Sequence, residues 1–413
     1  MSAMDLDNDV STVLATIRSE TDSADLINIL YQLEDFYERK LWHQLTLTLD
    51  TFYDPANVEV TPELKYKIYN LFIHQFASNL NPIKVVDFLL ESFNNKPQDT
   101  LDNLLALKTQ FIKELKREHN IKDEEDAEFK ELVASDEAVI YANLQIARHY
   151  LLLDDLSASE EILGKLTDRF DSNDSINNFD NAKINAAFYL ARCELYRKTE
   201  NYNLYYLNAL LYLSSVDNNL SEEEKVKLCY ELCIAALLGD KIYNFGELIL
   251  HDILEVIKDE ASPYNWLYHL IQNLNAGNLK EFNKWFAIAL QRSPFLTKFD
   301  LFLKQKIIIM SLLELISLKP TTNKHLSFSE ISEYTGTPVN DVEHLIIKCF
   351  SLDLIKGYIN QIDEVLVVTW LQPRILNLDQ VQVLHNHLLT WNSQLDKLSK
   401  EIYKNGGSIW AGI

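Results

Sequence analysis

His385 and His387, one residue apart, come nearer to a metal-binding signature than any other residues in this chain. A His-x-His pair can open a metalloprotease site when a serine and then an aspartate follow at fixed spacing, because catalytic zinc needs three protein ligands and an open position for water. Leu395 and Leu398 stand where those two groups are required, so the imidazoles lack the rest of the site. Cys229 and Cys233 lie one helical turn apart. Two thiols do not complete a zinc site, and Leu232, Ile234 and Ala235 beside them spell a buried helix, so core thiols are expected. The other cysteines, Cys193 and Cys349, are scattered, which gives neither a disulfide framework nor a Cys-x-x-Cys pair. His251, His269 and His344 are solitary on helical faces, and Asp154-Asp155 falls at an inter-helix turn, where carboxylates cap helices. The phosphate-binding Gly-x-x-x-x-Gly-Lys, the dinucleotide Gly-x-Gly-x-x-Gly, the Gly-x-Ser-x-Gly elbow and His-Glu-x-x-His do not occur. These residues predict no catalytic centre, no cofactor and no bound metal, so function must be sought in surfaces.

The most informative surface is the stretch Leu326 to Trp370. Ser327 with Glu330 forms a Ser-x-x-Glu capping box, Gly336 ends that helix, and Thr337-Pro338 is expected to start another with an N-cap and a proline at the first helical position. Val339, Val342, Ile346 and Cys349, widened by Leu345 and Phe350, give the second helix one apolar stripe. Two strand-like runs follow, Leu354 to Ile359 and Val365 to Trp370, separated by the polar turn from Asn360 to Glu364. The pattern predicts a helix-turn-helix with a two-stranded wing. Its second helix carries Lys348 and Asn340 against Asp341 and Glu343, too little positive or amide surface to read base edges and phosphates. A protein partner is expected at this winged helix, and no nucleic acid.

The rest of the chain must hold that module. Nine glycines and nine prolines in 413 residues leave little room for anything but helices and short turns. Arg39-Lys40-Leu41-Trp42, Asn79-Leu80-Asn81-Pro82, Asp154-Asp155-Leu156, Glu200-Asn201-Tyr202 and Gly277-Asn278-Leu279 repeat one motif: a polar turn, then a large apolar residue opening the next helix. Their landmarks at 41, 80, 156, 202 and 279 are separated by 39, 76, 46 and 77 residues, single or double steps of a helix-pair repeat. Ile184, Ala187, Phe188, Ala191 and Leu195 form one core stripe, and Leu279, Phe282, Phe286 and Leu290 another. Ser157 with Glu160 and Ser221 with Glu224 are further capping boxes, and Thr61-Pro62, Asn81-Pro82 and Ser262-Pro263 are helix starts. The segment from Lys122 to Glu137 holds eight acids and two lysines and is expected to be a solvated linker, and 171–181 and 214–221 polar loops. After Pro373, Val381, Leu384, Leu388, Trp391, Leu395, Leu398 and Ile402 alternate steps of three and four, a coiled-coil seam that either folds back on the winged helix or joins a bundle of other chains.

Lysine and arginine total 38 against 61 acids, a net charge of -23 that repels phosphate backbones and anionic membranes at long range. The N-terminus is acidic where a signal peptide would be basic and apolar, and the greasiest run, Ile307 to Leu318, is too short to span a bilayer and contains Glu314. A soluble intracellular protein without membrane contact is expected.

A helical-repeat array running into a winged helix and then a C-terminal helix resembles the PCI family, the domain shared by the proteasome lid, the signalosome and a translation-initiation-factor complex. The wing string from Leu354 to Asp363 matches that family's run of an apolar residue, Gly, an apolar strand and an Ile-Asp turn. Phe36 to Trp42, Leu238 to Leu248, Val342 to Leu345, Trp370 to Ile375 and Ser408 to Trp410 resemble lid members of the family. The resemblance implies an all-α fold: a right-handed, TPR-like helical-repeat solenoid over 1–300, a winged helix with a small β wing over 301–373, a coiled-coil-type helix over 374–404 and a tail over 405–413. It also implies a non-catalytic scaffold of the lid, in cytoplasm and nucleus. Its partners in that hetero-oligomer would be other PCI subunits and the metalloprotease-fold subunits. Signalosome or initiation-factor scaffolds, and a nucleic-acid-binding PCI protein, are the alternatives. The interface is then expected at Gly357, Ile359, Gln361, Ile362, Asp363, Val365, Val367 and Thr369 of the wing and at the seven seam residues of the C-terminal helix.

Overall fold

The computed structural model describes residues 10–19, 23–54, 60–93, 96–119, 127–170, 182–216, 220–259, 262–319, 324–373 and 378–406. The expected loop at 171–181 and the tail beyond Gly406 lie outside them. The chain forms two compact units, Met1–Asn219 and Leu220–Ile413, which divide within the stretch that the sequence groups as one array.

The first unit is helical throughout its described residues. Its helices include Ala24–Glu38, Trp42–Tyr53, Pro82–Ser92, Pro97–Glu118, Glu137–Leu152, Leu156–Phe170, Ala182–Lys198 and Tyr202–Ser215. Four of the five landmark turns share one geometry, and the fifth, ahead of Pro82, is instead a 3-10 turn with Leu80 extended. After Ala24–Glu38, Lys40 adopts a left-handed conformation (φ 57°), the Lys40 N–H donates to the Tyr37 carbonyl at 3.0 Å, and the Leu41 N–H donates to that of Phe36 at 2.9 Å. Asp154 (φ 63°) and Glu200 (φ 55°) repeat it, with Asp155 N–H on Tyr150 and Asn201 N–H on Tyr196. This nested pair of bonds satisfies carbonyls that the helix end would otherwise leave bare, and it reverses the chain within three residues. The large apolar residue that opens the next helix is half-buried, as at Trp42, Leu156 and Tyr202. Trp42 stacks on Phe76 at 5.7 Å between ring centres, with Tyr37 edge-on, and the predicted stripe residue Phe188 stacks on Phe170 at 4.0 Å.

Several local expectations are corrected. Asp155, not Ser157, caps Leu156–Phe170: its carboxylate accepts from the Ala158 N–H and the Ser157 hydroxyl, and Ser157 lies inside the helix. Ser262-Pro263 forms a turn before the helix Asn265–Asn275 and does not start it. In the acidic segment, 120–126 lie outside the described residues, but Ala127–Ser135 is a helix that buries Phe129. One large apolar side chain with a place in the core outweighs a local excess of charge. Asn81 and Thr61 stand as N-caps ahead of their prolines, Asn81 accepting from the Ile83 N–H.

The second unit opens with the helix Glu222–Leu238, where Ser221 and Glu224 form a complete capping box, and continues through Asn265–Asn275 and Leu279–Arg292 to Asp300–Leu318. Gly277 (φ 65°) makes the turn between the middle two, and a Cβ there would press on Ser311 Cα at 3.0 Å. The winged helix then comprises β1 (His325–Ser327), the helix Phe328–Thr335, the helix Val339–Ser351, β2 (Ile355–Asn360) and β3 (Val365–Leu371). The sheet is antiparallel, in the order β1-β3-β2. Leu326, Ile331, Val342, Ile346, Cys349, Leu354 and Leu366 are buried between sheet and helices. β1 is a strand that the sequence pattern did not reveal, because three residues are too short to show alternation. Gly336 ends the first helix in the left-handed region as expected, but Pro338 itself is the N-cap of the second and Thr337 lies outside it. Ser327 caps the first helix, accepting from the Glu330 N–H, while the Glu330 carboxylate pairs with Lys319 at 2.6 Å. The last helix, Leu378–Gly406, runs for 29 residues. No helix among the described residues is long and apolar enough to cross a membrane.

Candidate protein-interaction surfaces

Backbone pairing decides which part of the wing is free. β3 is the central strand: Val365 and Val367 face Ser327 and His325 of β1 on one side, and Asn360 and Tyr358 of β2 on the other. The Val368 N–H donates to the Lys324 carbonyl at 3.1 Å, toward β1, so by alternation the Val367 N–H points into the hairpin toward β2. Neither Val365 nor Val367 can therefore extend a sheet, and their half-buried side chains are all they offer a partner. The free edge belongs to β2, where alternation turns the N–H and C=O of Gly357 and Ile359 outward. Thr369 sits at a bulge opposite Lys356-Gly357 and donates its hydroxyl to the Lys356 carbonyl at 3.0 Å. The bulge explains the wing glycine, since a Cβ on Gly357 would run into the Val367 carbonyl oxygen.

The wing turn is held from both sides. Asn360 Oδ1 accepts from the N–H groups of Ile362 (3.2 Å) and Asp363 (3.4 Å), and its Nδ2 donates to the Asp363 carboxylate at 2.8 Å. Gln361 Nε2 donates to the Glu343 carboxylate at 3.2 Å, tying the turn to the second helix, and the Phe328 N–H donates to the Glu364 carbonyl at 2.8 Å. That helix exposes Val339, Asp341, His344 and Ile347, and its one lysine, Lys348, donates to Gln305 at 3.0 Å. This surface is apolar and acidic, the opposite of a groove-reading face.

The seam of the C-terminal helix is uncovered. Val381, Leu384, Leu388, Trp391, Leu395, Leu398 and Ile402 are all exposed, together with Leu389 and Tyr403. Folding back on the winged helix would have buried this stripe. His385 and His387 lie on the same exposed helix, and no metal-holding group of three His, Cys, Asp or Glu occurs among the described residues. Cys229 and Cys233 are both buried, their sulfurs 4.0 Å apart, and burial raises the Cys233 pKa.

One buried cation escaped the sequence reading. Lys306, only 1% exposed, donates its ammonium to the carbonyls of Ala236 (2.8 Å), Leu237 (3.0 Å) and Gly239 (2.6 Å), with the rings of Tyr243, Phe245 and Phe302 within 5.7 Å. Burial pushes its pKa down to about 7, and Asp240 pulls the other way. Three acceptors match the three protons of the charged form, which sits at the negative end of Glu222–Leu238 and fastens it to Asp300–Leu318. The segment Leu238 to Leu248, conspicuous in sequence, is the wrapping of this cation. Its signal was a lysine immediately before the greasiest run of the chain, Ile307 to Leu318.

The repeats and the winged helix together define a PCI-domain protein. A family model for the PCI domain matches residues 290–370, and one for PSD13 N-terminal repeats matches 29–271. The chain is 35% identical to the 26S proteasome regulatory subunit RPN9 of Saccharomyces cerevisiae, over 98% of this chain and 99% of that protein. It is 33% identical to the probable regulatory subunit rpn9 of Schizosaccharomyces pombe, over 92% of each. With the 26S proteasome non-ATPase regulatory subunit 13 homolog B of Arabidopsis thaliana it shares 32% identity, over 87% of this chain and 89% of that one. The chain belongs to this PSD13/RPN9 family of 26S proteasome regulatory subunits.

Proposed function

We propose that this chain is a non-catalytic scaffold of the lid of the proteasome regulatory particle, supporting ubiquitin-dependent degradation by holding other subunits in place. The observation that carries this reading is the uncovered seam from Val381 to Ile402, since a long apolar stripe facing water calls for helices from other chains. The free β2 edge adds a second contact, through which a neighbouring winged helix can continue the sheet by backbone hydrogen bonds. Its partners would be other PCI subunits and the metalloprotease-fold subunits, in the cytoplasm and nucleus. Chemistry on ubiquitin and ATP would belong to other subunits of the particle.

Affinity purification of the tagged full-length chain followed by mass spectrometry tests this directly, and lid subunits should copurify in near-equal amounts. Copurification of signalosome or initiation-factor subunits instead would replace the assembly while keeping the scaffold. The purified chain should neither hydrolyse ATP nor cleave ubiquitin chains above background. Turnover abolished by one His or Asp substitution would overturn the non-catalytic reading.

A further inference from the structure

We infer that the wing turn is a preformed knob, with Ile362 as its anchor, that docks into an apolar socket rimmed by lysine or arginine on a neighbouring protein. This rests on the scaffold reading and deepens it. Ile362 is 94% exposed, the most exposed large apolar side chain among the described residues, at the tip of a turn with no freedom to hide it. Asn360 fixes the backbone of both Ile362 and Asp363, Gln361 ties the turn to Glu343, and Glu364, at φ 52°, anchors its far end through Phe328. A loop held in this way loses little conformational freedom on binding, so more of the burial energy of the isoleucine reaches affinity. Such a fixed, isolated apolar tip has the character of a binding hot spot.

Charge states what must surround the socket. Glu343, Asp363 and Glu364 collar the knob, and no Lys, Arg or His forms an ion pair with any of them among the described residues. The lysines of the winged helix are engaged elsewhere: Lys348 at Gln305, and Lys356 over the Trp370 ring at 5.0 Å, on the far end of β2. Desolvating three carboxylates beside an apolar contact is favourable only against cations, so the socket carries a basic rim. The knob and the β2 edge are separable, because the side chain of Ile362 lies beyond the last paired residues, Asn360 and Val365.

The test is incorporation of the full-length chain into lid purified from cells that lack it, read by native gel over a titration of chain and salt. Ile362→Ser should raise the half-saturating concentration roughly tenfold to a hundredfold while leaving the melting temperature of the chain unchanged, and Ile362→Val should retain most binding. Glu364→Lys should weaken incorporation and flatten its salt dependence. Ile359→Pro, which blocks the outward N–H of β2, serves as the arm for edge pairing. If Ile362→Ser and Glu364→Lys incorporate like the parent while Ile359→Pro fails, the edge carries the contact and the knob inference is wrong. If all three incorporate normally, the winged helix is not a docking surface in the lid and the knob falls with it. In that case truncation after Asn377 shows whether the scaffold reading survives on the C-terminal helix alone.

Discussion

The helix Ala182–Lys198 in the repeats and the helix Leu378–Gly406 at the end of the chain carry equally regular apolar stripes, yet one is buried and the other faces water. Ile184, Phe188, Ala191 and Leu195 are covered by neighbours from the same unit, Phe170 among them, whereas every described seam position from Val381 to Ile402 is exposed. Periodicity identifies a face that must be covered. It does not say which chain covers it. The difference separates residues that hold this protein together from residues that its described structure leaves uncovered.

The sharpest way to break that comparison is to remove the exposed stripe. Truncation after Asn377, or Leu388→Asp with Leu395→Asp, should abolish recovery of the chain in an assembled lid while its melting temperature stays within a few degrees and helical circular dichroism falls only by the helix removed or disordered. In the bundle each unpaired buried carboxylate would cost several kcal/mol. A truncated chain that assembles normally but melts far lower would show instead that the seam belongs to its own domain.

The converse substitution is Phe188→Ala, which should cost roughly 3–5 kcal/mol in the isolated chain by leaving a cavity against Phe170. Denaturant titration would show it with no partner present. Lys306→Met should cost a comparable amount, about 3–5 kcal/mol near neutral pH, because three helix-end carbonyls lose their donor. The sign of its pH dependence is fixed by linkage: the folded pKa is about 7 against 10.5 for a free lysine, so between those values the unfolded chain binds more protons. Parent stability relative to Lys306→Met should therefore rise with pH from about 7 to 10.5 and be flat below. A difference that stays flat up to about 10.5 would mean that Lys306 remains fully charged across this range.

The smallest effect concerns the turns that build the repeats. Glu200→Gly relieves a left-handed residue and should stabilise the first unit by about 1 kcal/mol or less, since glycine also loosens the unfolded chain. A loss of stability would show that the Glu200 side chain contributes at the turn beyond its conformation.

The repeat turns were legible because each places a polar residue and then a large apolar one at nearly constant spacing, although glycine, the usual left-handed marker, is present only at Gly277. The cap at Asp155 was misplaced by two residues, because a Ser-x-x-Glu string inside a helix looks the same as one at its start. In the wing, both hairpin strands could be found from pattern, but the bulge at Gly357 could not, and nothing in the string showed that the outer edge of β3, at Val367, is taken. β1, which takes that edge, is too short to announce itself.

The sequence by itself determined the helical repeats, the winged helix, the apolar seam and the lack of catalytic motifs, because these follow from periodicity, turn chemistry and residue type within short windows. Only the tertiary structure decided that β3 is central and β2 free, that Ile362 stands on a locked turn, that Lys306 is held by carbonyls some seventy residues earlier, at Ala236, Leu237 and Gly239, and that the C-terminal stripe has no cover. Each of those depends on which distant segments meet, and a local pattern fixes what a face needs without fixing what it touches.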